Sequence, residues 1–454
     1  MFHLICLLIL LPLTSPMTVL IFLLGTTSFE RNTLEYLAVQ LAMRNHRTIT
    51  VKPILIPEEP RLITPKLHFV HEKTLKNLLP REFYEPLEQI GNMPWQGEYS
   101  LERHLFPYYV AHNHSCYKMI NSDLMDNLKK ENIDVAIVYV GNPCLLGIVY
   151  TLKIPFIFFD VEGFTDETRI ASGVPLITDI PPSNCHFLNS KYMFLRRAYN
   201  AICALREAFA QSGFSLLAKI ISNRYAYMDG PITDMFRNDY EIRKKYGSFP
   251  DVNQIKQQAE IYFINTDVLI EYDYALPVNV IPVGGLHIDS ARPLFSTWNE
   301  SANLADDGIL VVSLGTRANS SSMTHEQAKS IFSVLKRLET YRIFWRIGPT
   351  LHLPGIDLNS LPPHINVTTF MPQNDLLAHK RTRLLITNGG MHSIMEAIVH
   401  GVPIVGIALF GTDRYNLAKI QNKNLGLFLE ITQLTENRLY QLVIEALQNP
   451  RLVN

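Results

Sequence analysis

The sequence predicts two α/β units in series, each a parallel sheet covered by helices. Three observations carry this. Strand-length apolar runs alternate with helical patterns twice over. Residues 286–307 lose both periods and fill with Pro, Ser, Asn and Asp, as a linker does. The strand–helix alternation then restarts at Gly308.

In the first half, Val19–Leu24 reads as a strand, Thr33–Asn45 as a helix and Thr48–Pro53 as a second strand. Ile133–Val140 is apolar on both sides, the pattern of a strand covered on two faces. Pro143–Thr151 then reads as helix and Ile154–Asp160 as strand. Segments 190–225 and 237–259 are largely helical, and Ile261–Asn265 and Val280–Val283 are short strands. In the second half, Gly308–Leu314 is a buried strand and Gly315–Ser322 a polar loop. Thr324–Leu338 is a helix in which Thr324 and Gln327 have the spacing of a capping box. Strands follow at Arg342–Ile347, Ile365–Thr369, Leu384–Thr387 and Ile404–Ala408, interleaved with helices. The division is therefore 17–285, a linker at 286–307, and 308–454.

With 454 residues, 47% of them hydrophobic and 18% charged, the chain has material for sizeable cores. Lys+Arg (41) and Asp+Glu (42) nearly cancel, so no nucleic-acid partner is indicated; such proteins concentrate positive charge. The first 25 residues lack Lys, Arg, Asp and Glu, and the run Phe2 to Leu13 followed by Thr14-Ser15-Pro16 resembles a signal peptide, residues 1–16. A retained anchor is the alternative, so membrane association is expected through the N-terminus only. Without Cys6, four cysteines remain (Cys116, Cys144, Cys185, Cys203), which read as neither a disulfide framework nor a zinc site, although a single bridge fits an oxidising lumen. Sequons at Asn113, Asn299, Asn319 and Asn366 fit a glycoprotein of the secretory pathway.

Residues 370–416 carry the chemistry. Strand Leu384–Thr387 runs into Asn388-Gly389-Gly390 and a helix from Met391 to His400. Glycine lets the backbone approach a ligand, and unpaired N–H groups at the helix start attract an anion. Gly315 and Thr316 repeat that strand–loop logic. Phe370 offers an aromatic face and Gln373 an amide; Glu396 offers a carboxylate for ribose hydroxyls, and Asp413, after the next strand, one for sugar hydroxyls.

The run Phe370 to Asn416 resembles the signature of the UDP-glucuronosyltransferases and their relatives. The matching segments are Pro372 to Leu377, Thr387 to Gly390, Glu396-Ala397, His400-Gly401-Val402-Pro403, Leu409-Phe410 and Asn416, with Val283 to His287 at the junction and Ser313-Leu314-Gly315 at the first donor loop. The resemblance implies the GT-B fold, two facing Rossmann-like domains with a central cleft, the acceptor in the first and a UDP-sugar in the second. It implies that Phe370 stacks on uracil, Gln373 reads the base edge, and Glu396 holds the ribose. Thr316, Asn388, Gly389, Gly390, His392 and Ser393 would surround the diphosphate, and Thr412 and Asp413 the sugar. No metal or cofactor is expected. The implied partners are a UDP-sugar donor and a small lipophilic acceptor, with transfer by inversion in the endoplasmic reticulum lumen or at its membrane.

The pattern breaks at the catalytic pair. Where the family has its histidine base this chain has Glu30, and where it has the orienting aspartate this chain has Tyr139. Glu30 is the candidate base, since a buried carboxylate with a raised pKa does this work; its bland reading is a solvated helix-start residue. The alternative function is a member that binds UDP-sugar without efficient transfer. One residue of slack also aligns Asp413-Arg414 with the sugar contacts, and an Arg there would favour a glucuronate donor. The chain reaches Asn454 with no apolar run of ~18 residues near its end, which reads as a lumenal or secreted product or a shortened gene model.

Overall fold

The computed structural model describes residues 16–23, 28–56, 70–96, 105–175, 178, 192–304, 306–316, 318–409 and 411–449. The signal-peptide expectation, apart from Pro16, and Cys185 lie outside these residues. Two parallel sheets organise the chain. The first contains β1 (Thr18–Phe22), β2 (Arg47–Pro53), β3 (Val70–Leu75), β4 (Val135–Tyr139), β5 (Phe156–Asp160), β6 (Ile261–Ile264) and β7 (Val280–Pro282), in the order β3-β2-β1-β4-β5-β6-β7. The second contains β8 (Gly308–Ser313), β9 (Tyr341–Arg346), β10 (Ile365–Thr368), β11 (Thr382–Thr387), β12 (Ile404–Ala408) and β13 (Gly426–Glu430), in the order β10-β9-β8-β11-β12-β13. All pairings are parallel, so every crossover needs a covering helix.

In each sheet the strand order reverses once, between β1 and β4 and between β8 and β11. Loops on either side of such a switch point diverge and leave a crevice at the carboxyl ends of the strands. The central strands are apolar throughout: β8 is buried at all six positions, and its Leu310 and Val312 pack on one face while Ile309 and Val311 pack on the other. A capping box does form at Thr324 with Gln327, starting the helix His325–Lys336.

Three parts of the sequence reading change. The linker is not structureless, because Ser296–Asn303 forms a helix. The first helix begins earlier, at Ser28, and runs to Met43. The cysteines do form bridges: Cys116 joins Cys144 across a Cα–Cα distance of 5.6 Å, and Cys203 is disulfide-bonded too. Folding brings the helices Phe106–Ile120 and Pro143–Thr151 together, which sequence separation concealed.

The two halves lock together at sites distant in sequence. Trp95, 1% exposed, leaves the first half to join the core beneath the second sheet. Its carbonyl accepts from Gln327 Nε2 at 2.7 Å, and the Gly91 carbonyl accepts from the Asn319 amide at 2.9 Å. On the other side, Lys419 Nζ donates to Glu271 Oε2 at 2.7 Å in full burial, and the Tyr274 and Tyr415 hydroxyls meet at 3.1 Å.

Candidate active site

The site begins at the switch point of the second sheet. After β8 the chain turns at Gly315 (φ 80°), where a Cβ would lie 2.8 Å from Asn388 Oδ1. After β11, Asn388 is buried and donates from Nδ2 to Asp413 Oδ2 at 2.8 Å. Gly389 follows with φ 103°, and a Cβ there would come within 2.6 Å of Leu417 and 2.9 Å of the Asp413 carbonyl. Only glycine fits both the backbone conformation and the space. Gly390 then caps the helix Met391–Val399 without a side-chain hydrogen bond, leaving the first N–H groups directed into the crevice. Asn416 Nδ2 holds the Gly389 carbonyl at 3.2 Å, which fixes the turn from the next helix.

The other side of the crevice forms from two further elements. Phe370 follows β10, pinned by the Thr368 hydroxyl, which accepts from its amide and donates to its carbonyl; its ring is 71% exposed. Gln373 opens the helix Gln373–Leu377 and donates from Nε2 to Glu396 Oε2 at 2.7 Å and to Ser393 Oγ at 3.0 Å. Two residues without an assigned role from sequence join this cluster. His287 Nε2 lies 3.7 Å from Glu396 Oε1, and its ring meets His392 edge-on at 3.8 Å between centroids. Arg346, at the end of β9, donates to the Gly315 carbonyl at 3.0 Å. Burial pulls its pKa below the ordinary range.

The structure thus brings together Gly315, Asn388, Gly389, Gly390, His392, Ser393, Gln373, Glu396 and Asp413, while Phe370 is exposed three residues before Gln373. Asp413 is buried and holds Asn388 rather than facing open space, while Thr412 is half-buried and Thr316 exposed. Arg414 is engaged elsewhere, in an ion pair with Glu430 of β13 at 2.6 Å. That ion pair holds the guanidinium beside the edge strand β13.

Across the cleft, His392 Nε2 contacts Thr33 Oγ1 at 2.5 Å. Thr33 lies one turn beyond Glu30 on the helix Ser28–Met43; the Glu30 side chain is outside the described residues. Tyr139, at the end of β4, donates its hydroxyl to Glu162 Oε1 at 3.3 Å, so a carboxylate does sit beside that position, contributed by the loop after β5. That loop is anchored by Asp160, which accepts from the Glu162 and Thr165 amides and from the Thr165 and Thr168 hydroxyls. Burial pushes the Asp160 carboxyl up to about 7 even though these donors pull it down. The Glu162 carbonyl in turn accepts from Asn416 at 3.5 Å, tying the loop to the Asn388–Gly390 turn. His112 lies apart, buried in the first half; burial pushes it down to about 4.

Comparison with known proteins accords with this geometry. Residues 92–452 match the family model described as UDP-glucoronosyl and UDP-glucosyl transferase. Among curated relatives, UDP-glucuronosyltransferase 3A1 of Bos taurus is 28% identical over 82% of this chain and 66% of its own length. Human 2-hydroxyacylsphingosine 1-beta-galactosyltransferase is 27% identical over 76% of this chain and 59% of its own. The chain thus spans under two thirds of the length of these relatives. Among solved structures, a Phytolacca americana UGT2 complexed with UDP-2fluoro-glucose and pterostilbene superposes with a TM-score of 0.61 at 15% identity, covering 96% of this chain and 91% of that one. The glycotransferase of kitacinnamycin gives 0.61 at 14%, covering 97% and 92%. Both are GT-B glycosyltransferases, and the fold here is GT-B. The chain belongs to the UDP-glucoronosyl and UDP-glucosyl transferase family.

Proposed function

We propose that the protein transfers a hexose or hexuronate from a UDP-sugar to a small lipophilic acceptor, with inversion. The observation that carries this reading is the convergence of Gln373, Ser393 and Glu396 beside the Gly389-Gly390 helix start, at the switch point of the second sheet. Phe370 stacks on uracil, Gln373 reads its edge, and Glu396 takes the ribose hydroxyls. The helix N–H groups, Ser393 and His392 surround the diphosphate, and Arg346 supplies the full positive charge that the neutral Asn388 does not. Thr412 lines the sugar subsite, and Asp413 supports it through Asn388. The acceptor hydroxyl loses its proton to a base as its oxygen bonds to the anomeric carbon. The anomeric C–O bond breaks with its electron pair going to the β-phosphate. Glu30 is the base in this reading. The Cys116–Cys144 bridge supports folding in an oxidising compartment, in keeping with the secretory pathway.

A second reading is favoured by one observation: Tyr139 stands where the family has its aspartate, and its hydroxyl is held by Glu162. On that reading the protein binds UDP-sugar without efficient transfer. Calorimetry with UDP, followed by incubation with UDP-sugars and an aglycone panel, separates the two. Glycoside and UDP formation, lost in Glu30→Gln, supports transfer. UDP binding without turnover supports the second reading, and absence of UDP binding rejects both.

A further inference from the structure

The turn after β7 presses an imidazole against the helix Met391–Val399. Gly284 donates its amide to the Thr266 carbonyl at 3.0 Å. A Cβ at Gly284 would lie 2.6 Å from the Thr266 carbonyl carbon and 2.9 Å from Met395 of that helix, so only glycine lets the turn come this close. Gly285 then reverses the chain in left-handed backbone, φ 81°. Leu286 packs against the core of the first half, and Ile288 against the core that contains Met391, Ile394 and Met395. Asp289 is held from both sides: Oδ1 accepts from the Tyr36 hydroxyl at 3.0 Å, and its carbonyl accepts from Asn374 Nδ2 at 3.1 Å. His287 is fixed between these anchors, its side chain 13% exposed.

Held there, the imidazole satisfies neither of its nitrogens. Nδ1 and Nε2 are both buried, and neither makes a hydrogen bond among the described residues. Glu396 Oε1 stands 3.7 Å from Nε2, beyond hydrogen-bond reach. The ring meets His392 edge-on at 3.8 Å between centroids, but phenylalanine would supply that packing without burying two polar atoms. Unpaired buried polar groups are costly, and in a ligand site they call for a partner that binds there.

The neighbours identify that partner. His392 and Glu396 are four residues apart on one helix and share a face, and the imidazole lies against both. On the reading proposed above, on which this inference rests, Glu396 takes the ribose hydroxyls and His392 borders the diphosphate. A ring that touches both faces the junction of sugar and phosphate, where the first charge is the α-phosphate. We propose that His287 is a contact of the donor nucleotide, giving a ring N–H to an α-phosphate oxygen. The protein then recognises the nucleotide from its first phosphate onward, through a charge-assisted hydrogen bond.

The test is calorimetry on the full chain with UDP, UMP and uridine, comparing wild type with His287→Phe and His287→Gln. Phenylalanine keeps an aromatic edge for His392 and removes both nitrogens; glutamine keeps an N–H donor. Expected for His287→Phe is an affinity about 10–100-fold weaker for UDP and for UMP, with uridine changed by less than about twofold. His287→Gln should fall between wild type and His287→Phe for both phosphates. Equal loss of UMP and uridine would make His287 a packing group and overturn the proposal. Loss of UDP with UMP intact would move the contact to the β-phosphate and overturn it too. Should His287→Phe fail to fold by circular dichroism, the ratio of UMP to uridine affinity in His287→Gln decides on the same terms. A wild type that binds UDP no more tightly than the variants do sinks this contact alone. A wild type that does not bind UDP sinks the donor-site reading and the contact with it.

Discussion

Replacing Glu396 with glutamine preserves the size of the side chain and removes one negative charge from the cluster of Gln373, Ser393 and His287. The carboxylate now accepts from Gln373 Nε2 through Oε2 at 2.7 Å and faces His287 through Oε1 at 3.7 Å. In the proposed complex it also receives the ribose hydroxyls. A glutamine has one acceptor oxygen, and Gln373 already claims it, so the hydroxyls lose a charged acceptor. Hydrogen bonds to charged groups contribute about 1.5–3 kcal/mol. Loss of one such bond corresponds to a UDP affinity about 10–100-fold weaker. Calorimetry should be run with UDP and with 2′,3′-dideoxyuridine diphosphate against wild type and Glu396→Gln. The substitution should weaken UDP and leave the dideoxy ligand nearly unchanged, since that ligand has no hydroxyls to lose. Equal weakening of both ligands would mean that Glu396 only props the cluster, and no weakening of either would remove it from the site.

Three further outcomes follow from the same geometry. Arg346→Met should weaken UDP about 10–100-fold by loss of a charge-assisted contact while uridine, which has no phosphates, binds nearly as before; parallel loss of both ligands would assign Arg346 to the Gly315 loop alone. Gly389→Ala forces a side chain into left-handed backbone against Leu417 and the Asp413 carbonyl, so thermal unfolding should show destabilisation of at least about 2 kcal/mol together with loss of UDP binding. His112 titrates near 6.5 when unfolded and at about 4 when folded, so its contribution is present above pH 6.5 and is lost as pH falls toward 4. That difference is worth about 3 kcal/mol, and His112→Gln should flatten the fall in thermal stability between pH 7 and 4.5 relative to wild type; an unchanged slope would contradict it.

What could be read in advance was what is written locally. The strands β1, β4, β8 and β12 are buried on both faces along nearly their whole length, so each appears as a largely apolar run. The edge strand β3, Val-His-Glu-Lys-Thr-Leu, is half solvated and carries no such signal. The Asn388-Gly389-Gly390 turn was legible because strand, glycines and helix are consecutive, and its conformational demands act over a few residues.

Other features depended on contacts that sequence distance hides. Thr33 and His392 meet across 359 positions, and Trp95 enters a core built by residues beyond 300. His287 stood in a recognised junction motif, yet its contact with Glu396 exists only once the linker folds back on the donor helix. Periodicity likewise announced a helix near residue 200 but not its orientation; packing decided that its small and polar stripe turns inward. Sequence determined the two sheets and the glycine turn between β11 and the next helix, because backbone hydrogen bonding and glycine conformation are short-range. Tertiary structure decided which side chains face one another across the cleft, because cores, ion pairs and domain contacts form between segments whose order along the chain does not constrain their distance in space.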